Sequence, residues 1–360
     1  MNITFGGGLF GPEALAYQGR KIVEQLEKLG HKINLDCPEV DGYWSRFFNN
    51  FKPEEEDLYI LNGHYPRLPE LAKIHKKIID IAVFETTLPR EWVDALNIPE
   101  VVQIWTVSEF SKELLVKSGV QKPIFVIYLG IDERFKKNGV NLFPKDKSFK
   151  FLSVSAPHGV GKKDRKGLDV LVKAFKEEFG DSEEVLLILK INTIYADQLA
   201  RAKGMPFSAD AYVRELIPTG MKPNNIVIFT DYMGTEILNN LYNSVDCGVY
   251  PSRSEGFGLP QAEMALIGKP VITTNYSATT EFSDPELMVE ITGMEPLDYN
   301  QFPYFDSLFG EPSVESLRKM MRKVLSEKTP GKLIEAERFT WEAVGQRIEK
   351  LLNGLNTVHS

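Results

Sequence analysis

Metal and disulfide chemistry have little to draw on in this chain. Its 360 residues include two cysteines, Cys37 and Cys247, far apart and each beside an expected strand. Buried, reduced thiols in a reducing compartment are therefore expected rather than a disulfide framework. The five histidines (His31, His64, His75, His158 and His359) do not recur at ligand spacing and no Asp-X-Asp occurs, so no metal site is expected. A hydrolytic serine would need a Gly-X-Ser-X-Gly elbow, and none is present. No apolar run reaches the length of a membrane span, and no basic segment followed by an apolar one opens the chain, so a signal peptide is not expected. Excess positive charge is also missing: the formal net charge of −8 disfavours a nucleic-acid backbone as main partner. A cytoplasmic protein is expected. Peripheral association with a membrane surface stays open through a basic side on the first long helix (Arg20, Lys21, Lys28, Lys32).

What the chain does have is length and rhythm. A chain of 360 residues exceeds the usual size of one hydrophobic core, so two domains are expected. Short apolar runs alternate with amphipathic stretches throughout. In the first half the pattern predicts strands near Asn2–Phe5, Lys32–Leu35, Leu58–Leu61, Ile79–Phe84, Val101–Val107 and Ile124–Tyr128, with helices at Glu13–Leu29, Pro69–Lys77, Arg90–Leu96 and Glu109–Ser118. The second half predicts strands near Lys150–Ser155, Val185–Ile191, Asn225–Phe229, Val245–Tyr250, Pro270–Thr273 and Leu287–Ile291. Its helices are expected at Gly167–Phe179, Asp210–Ile217, Thr235–Asn243, Pro260–Ile267 and Ser313–Leu325. Apolar runs without alternation mark strands covered on both faces, hence two doubly wound α/β domains with parallel sheets. The expected organisation is an N-terminal Rossmann-like domain over 1–130, a lysine-rich linker over 131–148, a second Rossmann-like domain over 149–338, and a final helix over 339–360.

The densest signal is Pro251-Ser252-Arg253-Ser254-Glu255-Gly256-Phe257-Gly258-Leu259-Pro260-Gln261-Ala262-Glu263, running on to Ile272. A strand delivers the chain into a glycine turn that feeds a helix, with Pro260 suited to the first helical position. Backbone amides converge at such a turn and Gly256 and Gly258 let a diphosphate approach, with the Phe257 and Leu259 amides nearby. Two carboxylates beside an anion site make sense when the ligand also offers hydroxyls. Glu263, expected in the first helical turn and ionised, would accept hydrogen bonds from a ribose diol.

The segment Tyr250–Ile272 resembles the signature of the retaining glycosyltransferases of the GT-B fold (glycosyl transferases group 1, family 4 type), in which two glutamates are separated by seven residues. The resemblance implies that Glu263 holds the nucleotide ribose, that Glu255 contacts the donor hexose, and that the amides of Gly256, Phe257, Gly258 and Leu259 hold sugar and diphosphate. It continues in Val107–Ser111, Ser118–Val120 and Leu129–Asp132 with Phe135, in Arg165–Leu171 with Ala174 and Phe175, and in Phe339–Glu342 before the last helix. It implies two domains facing across a cleft, with the final helix crossing back to the first. Lys166, in a loop after the first strand of the second domain, would neutralise the departing diphosphate. The family usually adds an arginine earlier on that loop. Here none follows the strand directly, and Arg165, Lys162 or Lys163 stands in for it.

Gly6-Gly7-Gly8-Leu9-Phe10-Gly11 satisfies Gly-X-Gly-X-X-Gly, with Asp36 ending the next strand. Alone it suggests a dinucleotide site built around Gly8, and an NAD-dependent oxidoreductase or epimerase stays open. Glycine turns in this place also occur in GT-B N-terminal domains. Glu85, after a buried strand, and His64, after another, are candidates to orient an acceptor hydroxyl or the donor sugar. Thr230-Asp231-Tyr232-Met233-Gly234 follows a strand, and Tyr232 and Met233 are placed to meet the base. The expectation is a metal-independent retaining hexosyltransferase with no cofactor, taking a UDP- or GDP-sugar co-substrate and an acceptor that is a glycan, lipid, protein or small molecule. A non-catalytic nucleotide-sugar-binding protein is the remaining alternative.

Overall fold

A computed structural model describes residues 1–10, 14–38, 42–49, 52–63, 65–157, 163–194, 196–198, 207–298, 307–327 and 329–357. The chain divides into two compact units, Met1–Ile131 with Glu337–Ser360, and Asp132–Ala336.

The first unit is built on six parallel strands, β1 (Asn2–Gly7), β2 (Lys32–Asp36), β3 (Leu58–Asn62), β4 (Ile78–Ile81), β5 (Val101–Thr106) and β6 (Ile124–Val126), in the order β2-β1-β3-β4-β5-β6. All five residues of β3 are buried, as an unalternating apolar run requires of a strand covered on both faces. One face carries α1 (Ala14–Lys28), whose Ile22, Val23 and Leu26 join Ile3, Phe5 and Ile60 in one core. A second core on the other face is lined by α2 (Leu68–Leu71), α3 (Arg90–Leu96) and α4 (Glu109–Ser118). Local rules fix the ends of α4: the Ser108 hydroxyl accepts from the Ser111 amide at 3.1 Å, and Gly119 closes the helix at φ 100°. The final helix, α10 (Trp341–Thr357), belongs to this unit. Val344, Ile348 and Leu352, four apart, are fully buried in the α1-side core. The Trp341 indole donates to the Tyr17 hydroxyl at 2.9 Å, and a Cβ at Gly130 would lie 2.4 Å from its ring.

The second unit repeats the plan with β7 (Phe149–Ser155), β8 (Val185–Ile191), β9 (Ile226–Phe229), β10 (Cys247–Tyr250), β11 (Val271–Thr274) and β12 (Met288–Val289), ordered β12-β11-β10-β7-β8-β9. Its helices include α5 (Leu168–Phe179), α6 (Ala209–Leu216), α7 (Thr235–Asn243), α8 (Leu259–Leu266) and α9 (Val314–Glu327). Phe151, Phe175 and Phe179 pack ring against ring in the core. In each sheet the winding reverses beside the first strand, at β1/β3 and at β7/β10. Ligands of open α/β sheets bind at the carboxyl ends of strands at such reversals.

Three local expectations change. The helix expected over Pro69–Lys77 closes after Leu71, because the chain is drawn back to the sheet: His75 binds Glu56 at 2.8 Å and the Lys77 carbonyl accepts from the Tyr59 amide at 2.9 Å. The strand expected over Leu287–Ile291 is two elements. β12 pairs with β11, and β13 (Ile291–Glu295) turns away to an antiparallel partner, β14 (Phe309–Pro312). Cys37 is only half-buried, whereas Cys247 is fully buried; both are free. Of the stretch 131–148, Ile131 falls in the first unit, and the rest packs on α7: Phe135 against Tyr242, the Lys136 amide on Asn239 at 3.1 Å, and the Leu142 amide on Ser244 at 2.8 Å.

Candidate functional site

At the carboxyl edge of the second sheet, the loop after β7 and the loop after β10 are welded together. The Arg253 amide donates to the Arg165 carbonyl at 2.8 Å. Gly167 sits at φ 67°, and a Cβ there would lie 1.9 Å from the Pro251 carbonyl oxygen, so only glycine permits this approach. The fully buried Arg253 guanidinium holds Asp169 through two bonds of 2.8 and 2.6 Å, Glu311 on β14 through two of 2.7 and 2.8 Å, and the Asp164 carbonyl. Bidentate pairing of this kind fixes direction as well as charge. Arg253 thus sets the backbone that presents residues 164–166.

That backbone aims two cations at one carboxylate. Lys166 Nζ lies 2.8 and 2.9 Å from the Glu255 carboxyl oxygens, and Arg165 Nη1 lies 3.1 Å from Oε2 and donates to the Ser254 carbonyl at 2.8 Å. The Ser252 hydroxyl donates to Glu255 Oε1 at 2.7 Å, and the Glu255 amide donates to the Ser277 hydroxyl at 2.9 Å. Ser277 is itself at φ 67°, a conformation that non-glycine residues rarely hold without reason. Burial pushes the Glu255 carboxyl up, but the Lys166 and Arg165 charges and the hydrogen bonds from Lys166 and Ser252 together bring it down to about 2. Two cations thus meet on one ionised carboxylate, and their positions are set before any ligand arrives.

Helix α8 starts beside this cluster. Gly258 caps it at φ 99°, where a Cβ would meet Thr279 at 2.7 Å, and Phe257 turns inward onto the Phe282 ring at 5.3 Å. The first helical residue is Leu259, one earlier than Pro260, because Gly258 in the left-handed conformation closes the turn there. Glu263 consequently falls in the second turn rather than the first. It is 6% exposed, and its carboxyl accepts from the Tyr242 hydroxyl at 2.8 Å. Burial pushes Glu263 up to about 8; the Tyr242 hydrogen bond opposes the rise and the Asp132 charge adds to it. The expectation of an ionised Glu263 is therefore corrected for the ligand-free protein near pH 7. Glu255 and Glu263 stand seven residues apart with opposite electrostatics, one held ionised by cations and the other held neutral by burial.

The other expected residues scatter. On the same sheet edge, Tyr232 and Met233 follow β9, and the Tyr232 ring is 78% exposed, with a face open to stacking. Lys163 is taken up by Glu311 at 3.0 Å and Glu295 at 3.5 Å, and its amide by Asp298, so Arg165 is the second cation on Glu255. Lys162 lies outside the described residues. In the first unit the Gly8 amide donates to the Asn62 carbonyl at 3.2 Å, and its carbonyl accepts from the Asn62 side chain at 2.7 Å. A Cβ on Gly6 would meet the Tyr59 hydroxyl at 2.0 Å, and that hydroxyl donates to Asp36. A Cβ on Gly7 would lie 2.5 Å from the Asn62 carbonyl oxygen, so internal packing accounts for the glycines at 6 and 7 and engages the carboxylate that a dinucleotide ribose would need. Glu85 is half-buried on the loop four residues beyond β4. His64 and Gly11 lie outside the described residues.

Sequence reasoning passed over Ser252, Arg253, Asp169, Tyr242, Ser277 and Glu311. Ser252 and Arg253 stood inside the motif and Asp169 inside the Arg165–Leu171 stretch, but none carried a spacing signal for its role, because the roles arise from contacts across 84, 58, 22 and 21 residues and from the short local bond of Ser252. Among the described residues, no three His, Cys, Asp or Glu side chains converge to hold a metal ion, and no helix is long and apolar enough to cross a membrane.

Comparison with known proteins meets this site. Residues 158–294 match the family model described as glycosyl transferases group 1. The chain is 27% identical over 174 residues to an uncharacterized glycosyltransferase, 335, of Sulfolobus islandicus rod-shaped virus 1, a match covering 46% of this chain and 45% of that protein. It is 25% identical over 183 residues to the serotype-specific mannosyltransferase WbdA of Escherichia coli, covering 49% of this chain and 19% of WbdA. The chain thus spans less than half the length of these curated relatives. Among solved structures, Anabaena HepE in complex with UDP and glucose aligns over 98% of this chain and 100% of its own, with a TM-score of 0.68 at 14% identity. Residues 158–294 therefore carry the glycosyl transferases group 1 pattern, within a chain that has the α/β fold of GT-B structures, two Rossmann-like parallel-sheet domains.

Proposed function

We propose that the chain is a metal-independent retaining glycosyltransferase that moves a hexose from a UDP- or GDP-sugar to an acceptor hydroxyl, with the donor bound by the second unit. The observation that carries this reading is the Lys166–Arg165–Glu255 cluster, with Arg165 and Glu255 buried and Lys166 partly so, beside the N-terminus of α8. Leaving-group stabilisation needs preorganised positive charge where negative charge develops, and two fixed cations with first-turn amides supply it without a metal. In this reading Lys166 and Arg165 face the diphosphate, Glu255 accepts from hexose hydroxyls, Glu263 accepts from the ribose diol, and Tyr232 and Met233 meet the base. Transfer on the front face breaks the bond from the anomeric carbon to phosphate oxygen and forms one to the acceptor oxygen. The acceptor proton passes to the departing phosphate. Support also comes from the family match over 158–294, from the glycosyltransferase names of the curated relatives, and from HepE, solved with UDP and glucose.

A panel of UDP- and GDP-sugars, assayed for release of the nucleoside diphosphate with and without candidate acceptors, tests the reading. Turnover with an axial (retained) product linkage supports it. Thermal stabilisation by NAD and by no nucleotide sugar would overturn it in favour of an oxidoreductase. A donor that binds and is never cleaved would favour a binding protein instead.

A further inference from the structure

The first unit contains a cavity, lined by apolar and charged side chains, that shares no residue with the donor cluster. It has a volume of about 360 Å³ and opens beside β6, the edge strand of the first sheet, between the first turn of α4 and the middle of α10. Small-molecule sites start at about 300 Å³. Phe125, Tyr128 and Leu351 provide an apolar wall, while Lys112, Arg347 and Lys350 bring three cations against the single carboxylate of Glu109. This local excess of positive charge runs against a chain whose formal net charge is −8.

Two features mark the cavity as built rather than incidental. The Arg347 guanidinium lies 4.5 Å over the Tyr128 ring, while its Nη1 is buried with no hydrogen-bond partner among the described residues. A buried donor left without an acceptor carries an uncompensated desolvation cost. Tyr128 also holds φ 57°, in the left-handed region, with a second guanidinium, that of Arg338, 5.6 Å from its ring. A plain clamp of α10 onto the sheet would account for the ring contact. It would not account for the unaccepted N–H or for two lysines converging on the same space. The one carboxylate of the lining, Glu109, lies 3.7 Å from Lys112, and both are about half-exposed, where an ion pair is weak.

We propose that this cavity is a binding site for an organic phosphate, its oxyanion held by Arg347, Lys350 and Lys112 and its apolar part laid on Phe125, Tyr128 and Leu351. Guanidinium is the side chain best matched to phosphate oxygens, and here it is held against the Tyr128 ring. The phosphate belongs either to a soluble phosphorylated metabolite or to a phospholipid headgroup. The proposal does not rest on the transferase reading, since no residue is shared with the donor cluster.

The test uses the full chain carrying Lys166→Ala, so that the donor cluster does not compete for phosphate. Glucose 6-phosphate is titrated by calorimetry, and vesicles of phosphatidylcholine with and without phosphatidylglycerol are tested by co-sedimentation. Arg347→Gln and Lys350→Gln are compared with this parent, and Lys350, an exposed side chain, keeps the test open if Arg347→Gln fails to fold. Binding of either probe, weakened on the order of tenfold or more in each folded variant, is expected. Binding of glucose 6-phosphate alone identifies a soluble ligand, and binding of the anionic vesicles alone a headgroup. No binding of any probe, or Lys350→Gln binding as tightly as the parent, overturns the proposal.

Discussion

Replacing Glu263 with glutamine isolates the electrostatic state of the second motif glutamate. In the ligand-free protein, burial pushes this carboxyl from 4.5 up to about 8, with one hydrogen bond from Tyr242 opposing. A folded-state value above the unfolded one means that the folded protein keeps its proton while the unfolded chain loses it. Stability is then fully present below pH 4.5, falls as pH rises, and levels off above about pH 8. That interval corresponds to on the order of 5 kcal/mol. Glutamine keeps the shape of the neutral acid and an oxygen for the Tyr242 hydroxyl, but it cannot ionise. The Glu263→Gln protein should therefore match wild type near pH 5 and exceed it increasingly toward pH 8, by a Tm difference on the order of 10 °C. Thermal melts across that range, read as the difference between the two proteins, remove the contributions of all other titrating groups. A difference that stays constant from pH 5 to 8.5 would refute the assignment. A second arm concerns ligand: hydroxyls donated by a ribose favour the ionised carboxylate. Donor binding at pH 7 should then release a proton, seen by calorimetry in buffers of different ionisation enthalpy, and Glu263→Gln should abolish the release.

Three further expectations follow from the same geometry. Lys166→Ala should lower kcat on the order of 10²-fold or more while changing donor affinity far less, because its charge is needed most as the diphosphate departs; steady-state kinetics with unchanged kcat would sink the site assignment. Arg253→Met removes the partner of Asp169 and Glu311 at once and should destabilise the chain by about 3–5 kcal/mol, a loss that chemical denaturation would read and that a change below about 1 kcal/mol would contradict. Asp80, fully buried on β4, has no hydrogen-bond partner for either carboxyl oxygen among the described residues, and burial pushes it well above the usual carboxylate range. Wild-type stability should thus fall as pH rises above the ordinary aspartate value, and Asp80→Asn should gain on wild type with rising pH; parallel pH profiles of the two proteins would show that Asp80 is not held neutral.

Elements whose cause is local were legible in the sequence. Arg90–Leu96, Glu109–Ser118, Thr235–Asn243 and Val185–Ile191 have the expected bounds, since each is set by an apolar period and by nearby caps or breakers. The expected helix over Pro69–Lys77 failed because His75 and Lys77 answer to Glu56 and Tyr59, partners that a helical period does not register. The strand after Leu287 split because Ile291 onward pairs with β14, which lies beyond a connection no local pattern announces.

At the site the division is sharper. The sequence by itself determined the glycine turn, the seven-residue interval between Glu255 and Glu263, and the two βα arrays, because hydrophobic period and glycine placement act over a few residues. Only the tertiary structure decided that Lys166 and Arg165, some 90 residues from Glu255, are its counter-charges, and that Arg253 is a buried clamp rather than a surface charge. It also decided that two identical side chains differ in protonation. Electrostatics depends on which groups are brought together and how much water is excluded around them, and chain order fixes neither.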